Sequence, residues 1–241
     1  MIAWCWGREP VDMETAVNRV ADVGQGLAFE ADLFADPAQR IALWQCNSPA
    51  LVTPKSYRKR AGFEEAVARS GARGWPVALR PSGGGTVPQG PGVLNLVMAL
   101  TVPQGFGIHQ GYQLLCDPII ALGQSLGLDL RPGATPDSFC DGEWNLSSQG
   151  RKMVGTAQRL RPLKERRVRI MAHALILMDG PVEPGAEAVD AFHRDLGLDP
   201  VRSEVHTTLQ AECKTRLPDE AEIARLLTAH AEQAVRDRLG E

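Results

Sequence analysis

Apolar residues recur at three- and four-residue steps from Val11 to Phe34: Val17, Val20, Ala21, Leu27, Ala28, Ala31 and Phe34. That spacing predicts a helix, weakened in its middle by Gly24 and Gly26. Asp36-Pro37 ends it. Ile41 to Trp44 and Ala50 to Val52 read as short strands around the turn Asn47-Ser48-Pro49. Phe63 to Ala72 predicts a short amphipathic helix, and Pro76 to Leu79 a strand that feeds a glycine-rich turn. Val93 to Val102 is almost continuously apolar and too short to span a membrane, the pattern of a buried strand. Gln110 to Leu126 carries Leu115, Ile119, Leu122 and Leu126 on one helical face. Glu143 to Leu146 and Lys152 to Leu160 flank Ser147-Ser148-Gln149-Gly150 as a hairpin would. Val168 to Met178 reads as a long strand; Ala186 to Leu196 and Pro218 to Leu239 read as helices. Helices and strands mix without alternating as βαβ units. This predicts an α+β fold, a single domain over residues 1–241 with a largely antiparallel mixed sheet flanked by helices.

Composition narrows the function classes. The 241 residues are 44% hydrophobic and 23% charged, which excludes a disordered tail, a collagen and a coiled coil. A net charge of −3 argues against gripping nucleic acid by bulk electrostatics. No uncharged apolar run reaches the length of about 18 residues that a membrane span needs. The first ten residues lack a basic region followed by an apolar stretch, so no secretory signal is visible and a cytoplasmic location is expected. The cysteines (Cys5, Cys46, Cys116, Cys140 and Cys213) are odd in number and never spaced C-x-x-C, so neither a disulfide framework nor a zinc site is expected. The basic residues are 21 arginines and only 5 lysines. Lys152 beside Arg151 therefore draws notice, because lysine has a movable pKa and can exchange a proton where arginine cannot.

Two segments carry candidate chemistry. Arg80-Pro81-Ser82-Gly83-Gly84-Gly85-Thr86 ends a strand with three glycines, whose bare backbone can approach a ligand closely and offer N–H groups. The segment matches neither a Walker loop nor a Rossmann fingerprint, and a merely flexible loop is the competing reading. Asn95, polar within the apolar strand that follows, must find partners if buried. Gly150-Arg151-Lys152-Met153-Val154-Gly155-Thr156-Ala157-Gln158-Arg159 opens a strand on the scarce lysine. It then sets Gly155 and Ala157 on one side, leaving room for a ligand or another backbone.

These two segments, in this order and about 70 residues apart, resemble the biotin/lipoate protein ligase and lipoyl transferase superfamily. Ser-Gly-Gly-Gly-Thr-Val with the later Gly-Val-Leu-Asn resembles its substrate loop and adjoining strand, and Gly-Arg-Lys-Met-Val-Gly-Thr-Ala-Gln-Arg its lysine motif. The resemblance runs from about Trp44 to Met178, includes Thr53-Pro54-Lys55, and extends more weakly to Thr207-Thr208-Leu209. It implies that superfamily's α+β fold and a medium-chain acyl or lipoyl cargo. A third segment, Thr135 to Ser147, resembles the surroundings of the catalytic cysteine in the octanoyl-[glycine cleavage H protein] amidotransferases. By that resemblance Cys140 and Lys152 are catalytic. Arg80, Ser82, Gly83, Gly84, Gly85, Asn95, Gly155, Thr156 and Ala157 bind substrate. The implied partners are acyl-carrying proteins like the glycine cleavage H protein, or dehydrogenase E2 lipoyl domains.

The resemblance implies an acyl group passed to Cys140 as a thioester and then to a lysine amine, with no cofactor. A second reading is an ATP-dependent lipoate ligase, the only case in which ATP and Mg would be needed. Against it, Leu79-Arg80 stands where the ligases pair two arginines, and Gln89-Gly90 where they carry His-Asp. A third reading, prompted by Pro88-Gln89-Gly90-Pro91, is a non-catalytic acyl- or carrier-binding relative. On spacing alone Cys140, next to Phe139, reads as a core cysteine, and only the resemblance makes it the nucleophile; Cys116 within its helix reads as core. His173 reads as a buried, hydrogen-bonded histidine rather than a base, and no metal site is expected. Arg159, Arg161, Lys164, Arg166, Arg167 and Arg169 form a basic cluster, either a solvated hairpin or a docking patch for an acidic carrier domain.

Overall fold

The computed structural model describes residues 12–239. Ten strands and six helices follow one another as β1 (Asp12–Val20), α1 (Val23–Ala35), β2 (Arg40–Cys46), β3 (Ala50–Pro54), α2 (Phe63–Ala72), β4 (Val77–Arg80), β5 (Val87–Gln89), β6 (Val93–Pro103), α3 (Ile108–Ser125), β7 (Arg131–Pro132), β8 (Leu146–Ser148), β9 (Arg151–Pro162), β10 (Arg167–Leu177), α4 (Glu183–Asp195), α5 (Leu209–Glu212) and α6 (Glu220–Leu239). Seven strands form one sheet in the order β1-β2-β6-β10-β9-β8-β7, and three form a second in the order β4-β3-β5. Only β1 with β2 and β3 with β4 pair in parallel. The α+β class and the largely antiparallel sheet are as the sequence predicts. Among the described residues no helix is long and apolar enough to cross a membrane.

Each face of the long sheet has its own core. On one face Leu96, Met98, Ile170 and Ala172 pack against Leu115, Ile119 and Leu122 of α3 and Ile223, Leu227 and Val235 of α6. On the other, Trp44, Val97, Met171 and Leu175 meet α1, α4 and the small sheet. Strand β6 lies in the middle, buried from Val93 to Val102, because both its faces are covered. Each large apolar side chain so buried contributes about 1.5–3 kcal/mol.

The predicted helix from Val11 to Phe34 is corrected. Among the described residues, β1 occupies the first half and only Val23–Ala35 is helical. Edge pairing of β1 on β2 overrides the spacing. The true start signal is Asp22, whose side chain accepts the Gln25 N–H, while the Gln25 side chain accepts the N–H of Ala21. Gly26 is required for another reason: a Cβ there would meet the Trp44 ring at 2.3 Å. The β8–β9 hairpin turns on Gln149 (φ 49°) and Gly150 (φ 77°), both left-handed, as a tight two-residue turn demands.

Candidate active site

The space between the two sheets, under α1, forms a narrow pocket with a cavity volume of about 40 Å³. Leu27, Trp44, Val52, Val87, Ala174 and Leu175 give it apolar walls. Gly155, Thr156 and Ala157 of β9 line it, and Gly155 leaves space: a Cβ there would stand 3.7 Å from the Lys152 side chain. Asn95 reaches it from β6, its amide satisfied reciprocally by Gln89 at 2.7 and 3.0 Å and by the Trp44 carbonyl at 3.3 Å. Gln89, noticed in the sequence only as a departure from the ligase pattern, is thus the partner that the buried Asn95 needs.

Cys140 stands at this pocket on the loop between β7 and β8. Its φ is 48° and that of Asp137 is 64°, left-handed conformations that cost about 1–3 kcal/mol each in non-glycine residues. The loop is held on several sides. Asp141 accepts the Thr135 N–H at 2.7 Å, Asn145 Nδ2 donates to the Cys140 carbonyl at 2.9 Å, and the Arg202 N–H donates to the Asp137 carbonyl at 2.9 Å.

The glycine loop between β4 and β5 meets this cysteine. The Gly85 N–H donates to the Cys140 sulfur at 3.0 Å, and Arg80 Nη2 stands 3.9 Å from it. A Cβ on Gly84 would lie 2.8 Å from that sulfur, and one on Gly85 3.1 Å from the Cys140 Cα. Glycine is therefore required at these two positions by the cysteine's approach; Gly83 faces open space. Arg80 is buried within the loop, donating to the carbonyls of Val52 (2.9 Å), Gly83 (2.8 Å) and Gly85 (2.6 Å). It lines the pocket, and its hydrogen bonds hold the loop's shape from inside. Ser82 is turned away, its hydroxyl 2.9 Å from His173 Nε2.

Lys152 is fully buried at the start of β9. Its Nζ donates to the carbonyls of Phe139 and of Cys140, the latter at 2.9 Å, so it holds the backbone on either side of the nucleophile candidate. Burial lowers its pKa from 10.5 to about 8, against the opposing pull of Cys140 and Asp141. Asn145 Oδ1 accepts the Thr156 N–H at 3.1 Å, and Thr156 Oγ1 donates to the Trp144 carbonyl at 2.9 Å. The Thr207 region singled out in the sequence completes this floor. Thr207 N–H donates to the Lys152 carbonyl, and Thr207 Oγ1 to the buried Glu212, which also accepts from Ser148, Gln149 and Arg151.

Sequence reasoning missed His206. Its ring stacks on Phe139 with centroids 4.1 Å apart, and its Nε2 accepts the Phe139 N–H at 3.2 Å. Burial, with the Lys152 charge adding, pushes its pKa down to about 4. It directly precedes Thr207-Thr208-Leu209, the weaker part of the resemblance, and that neighbour was the one signal in the sequence that could have found it. His173 is hydrogen-bonded, as read from the sequence. Cys116 is buried in the core, and burial pushes its thiol up to about 12. Cys5 lies outside the described residues.

The basic cluster needs correction. Arg169 is buried and donates to the carbonyls of Leu33 (2.7 Å), Phe34 (3.4 Å) and Pro37 (3.4 Å), satisfying the C-terminal end of α1. Arg159 and Arg161 lie over the Phe34 ring at 3.7 and 4.8 Å. Arg161, Lys164, Arg166 and Arg167 remain exposed on the hairpin between β9 and β10. Among the described residues no group of three or more His, Cys, Asp or Glu side chains is placed to hold a metal ion.

Known proteins are similar to this chain, some in sequence and some in fold. An uncharacterized protein of Cupriavidus necator is 41% identical over 171 residues, 65% of this chain and 67% of its own length. An octanoyl-[GcvH]:protein N-octanoyltransferase of Kyrpidia tusciae is 32% identical over 212 residues, 83% of this chain and 69% of its own. The solved structure of Ta0514, a putative lipoate protein ligase of T. acidophilum, is similar in fold with a TM-score of 0.71 at 16% identity, covering 94% of this chain and 85% of that one. The family model of the lipoyl protein ligase A/B catalytic domain matches residues 23–231, spanning the glycine loop, Cys140, Lys152 and the His206 segment. The chain belongs to the lipoyl protein ligase A/B catalytic domain family.

Proposed function

We propose that this chain is an acyltransferase of protein lipoylation that passes an octanoyl or lipoyl group from a carrier protein to an acceptor-domain lysine through a thioester on Cys140. The observation that carries this reading is the Cys140 sulfur held at an apolar-walled pocket under the Gly85 N–H. The similar octanoyl-[GcvH] and lipoyl-[GcvH] transferases support the cargo class and carriers of the glycine cleavage H protein type.

The chemistry follows from the residues. The Cys140 thiol gives up its proton as its sulfur attacks the acyl carbonyl; a C–S bond forms, the bond between that carbonyl and the carrier breaks, and the carrier leaves with the proton the thiol released. An acceptor lysine amine then attacks the thioester: a C–N bond forms, the acyl C–S bond breaks, the amine gives up a proton, and Cys140 is left as its thiolate. Lys152, able to be neutral near pH 8, is the group suited to take the amine's proton. The Thr156 N–H is committed to Asn145 and the Gly85 N–H to the Cys140 sulfur, and the glycine loop, lying against that sulfur, is the segment proposed to face the oxyanion. Burying the seven carbons beyond an octanoyl carbonyl gives about 5–6 kcal/mol, only a sub-millimolar hold. Docking of the carrier supplies the remainder, and the exposed basic hairpin suits an acidic carrier surface.

Intact-protein mass spectrometry after mixing with octanoyl-carrier protein, without ATP, tests the reading. A hydroxylamine-sensitive gain of one octanoyl group is expected, and Cys140→Ala loses it. An adduct that persists in Cys140→Ala would name a different nucleophile. Acylation of acceptor only when ATP and free lipoate are present would mark a ligase.

A further inference from the structure

His173 lies in the pocket wall with nothing assigned to it. Its Nδ1 is 3.0 Å from Glu30 Oε2, and the same carboxylate accepts the Trp44 indole N–H at 3.0 Å. A carboxylate only accepts, so Nδ1 donates; in the neutral ring Nε2 then accepts the Ser82 hydroxyl. Glu30, His173 and Ser82 thus form one directed chain from α1, across β10, to the residue before Gly83-Gly84-Gly85. The order resembles a nucleophilic triad. Ser82, however, is 2% exposed, and the pocket is walled by Glu30, Trp44 and His173 without it. The chain is placed as a strut. A wall needing only bulk has no use for a buried carboxylate, since burying an ionisable group costs several kcal/mol and an apolar side chain fills the space as well.

The strut adds to the loop's other side-chain anchors, Arg80 and the Thr86–Thr53 hydroxyl pair, a tie to the long sheet. Arg80 fixes the carbonyls of Gly83 and Gly85. Ser82 fixes the loop's entry, and between these two holds the Gly85 N–H is aimed at the Cys140 sulfur. We infer that Glu30, His173 and Ser82 are positioning residues that set the glycine loop so that its N–H meets the Cys140 sulfur. This rests on reading Cys140 as the nucleophile.

The test is the rate of Cys140 alkylation by iodoacetamide across pH, followed by peptide mapping so that other cysteines do not count. Ser82→Ala is expected to slow it about tenfold near neutral pH, the loss of one hydrogen bond to a charged sulfur, and to move the midpoint of the pH profile upward. Thermal stability should stay within about 2–4 °C, the shift that one lost neutral hydrogen bond produces in a chain of this size. His173→Gln keeps a donor toward Glu30 and an acceptor toward Ser82, and is expected to retain most of the rate. Unchanged alkylation in Ser82→Ala, a loss that only follows the melting temperature, or an acyl ester found on Ser82 would each overturn the inference. Iodoacetamide needs no acyl donor. A wild-type protein that forms no thioester would therefore defeat the proposed function while leaving this measurement readable.

Discussion

Lys152 bears two demands at once. It must hold two carbonyls, and it must do so where water cannot solvate its charge. Its folded pKa of about 8 lies below the ordinary 10.5, so between those values the unfolded chain binds more protons than the fold. This lysine therefore opposes folding below about pH 8, by on the order of 3 kcal/mol, and the penalty fades as pH rises toward 10.5. Lys152→Met removes that penalty but strips two carbonyls of their donor, at about 1–3 kcal/mol each. The expected outcome is a small net change in melting temperature at pH 7 and a flatter rise in stability between pH 8 and 10.5. Acyl transfer from a preformed thioester to an amine that titrates well below pH 8 should climb through about pH 8 in the wild type, and the climb should vanish in Lys152→Met. Residue chemistry of this kind was partly legible in the sequence. The glycine run and the scarce Lys152 stand out as types and spacings, whereas Cys140 stands out only through the family resemblance. That Gly84 and Gly85 are small because Cys140 approaches them was not, since the contact joins residues about 55 apart.

Between α4 and α5, the segment around Ser203–Val205 and His206 acts as a clamp on the Cys140 loop. Arg202 holds Asp137, His206 holds Phe139, and Thr207 holds Lys152. Its weak point is acid. His206 titrates near 4 in the fold against an ordinary 6.5, so the unfolded chain holds more protons between these values. The fold loses stability as pH falls through that window, by up to the order of 3 kcal/mol, with His193, also lowered by burial, adding in the same direction. His206→Phe keeps the stack and removes the titration. The drop in melting temperature from pH 7 to pH 4.5 should be smaller in that variant than in the wild type, measured by calorimetry. At this scale the sequence is most readable where one element decides its own fate. Residues 63–72 and 93–102 match the helix and strand that their patterns predict. β1 fails because its conformation is fixed by pairing with β2, a partner absent from its local pattern.

Across the whole molecule, charge is unevenly placed despite a net of −3. Lys164 and Arg166 are exposed at the hairpin tip, far along β9 from Gly155. Lys164→Glu with Arg166→Glu is expected to slow acyl transfer from an acidic carrier protein about tenfold at low ionic strength. It should leave transfer from a small octanoyl thioester unchanged, and the difference should shrink in 0.5 M salt, where screening is nearly complete over about 5 Å. Equal loss with both donors would place the effect inside the protein.

The two sheets meet at Cys140 as a seam. The sulfur belongs to a loop of the long sheet, and the N–H that faces it belongs to a loop of the small one. The long sheet has a second core on its far face, whereas the small sheet packs into the cluster that the two sheets share. A hydrogen bond fails within an ångström of stretch. The enzyme's competence is thus a matter of alignment, like a switch whose contacts are mounted on separate plates.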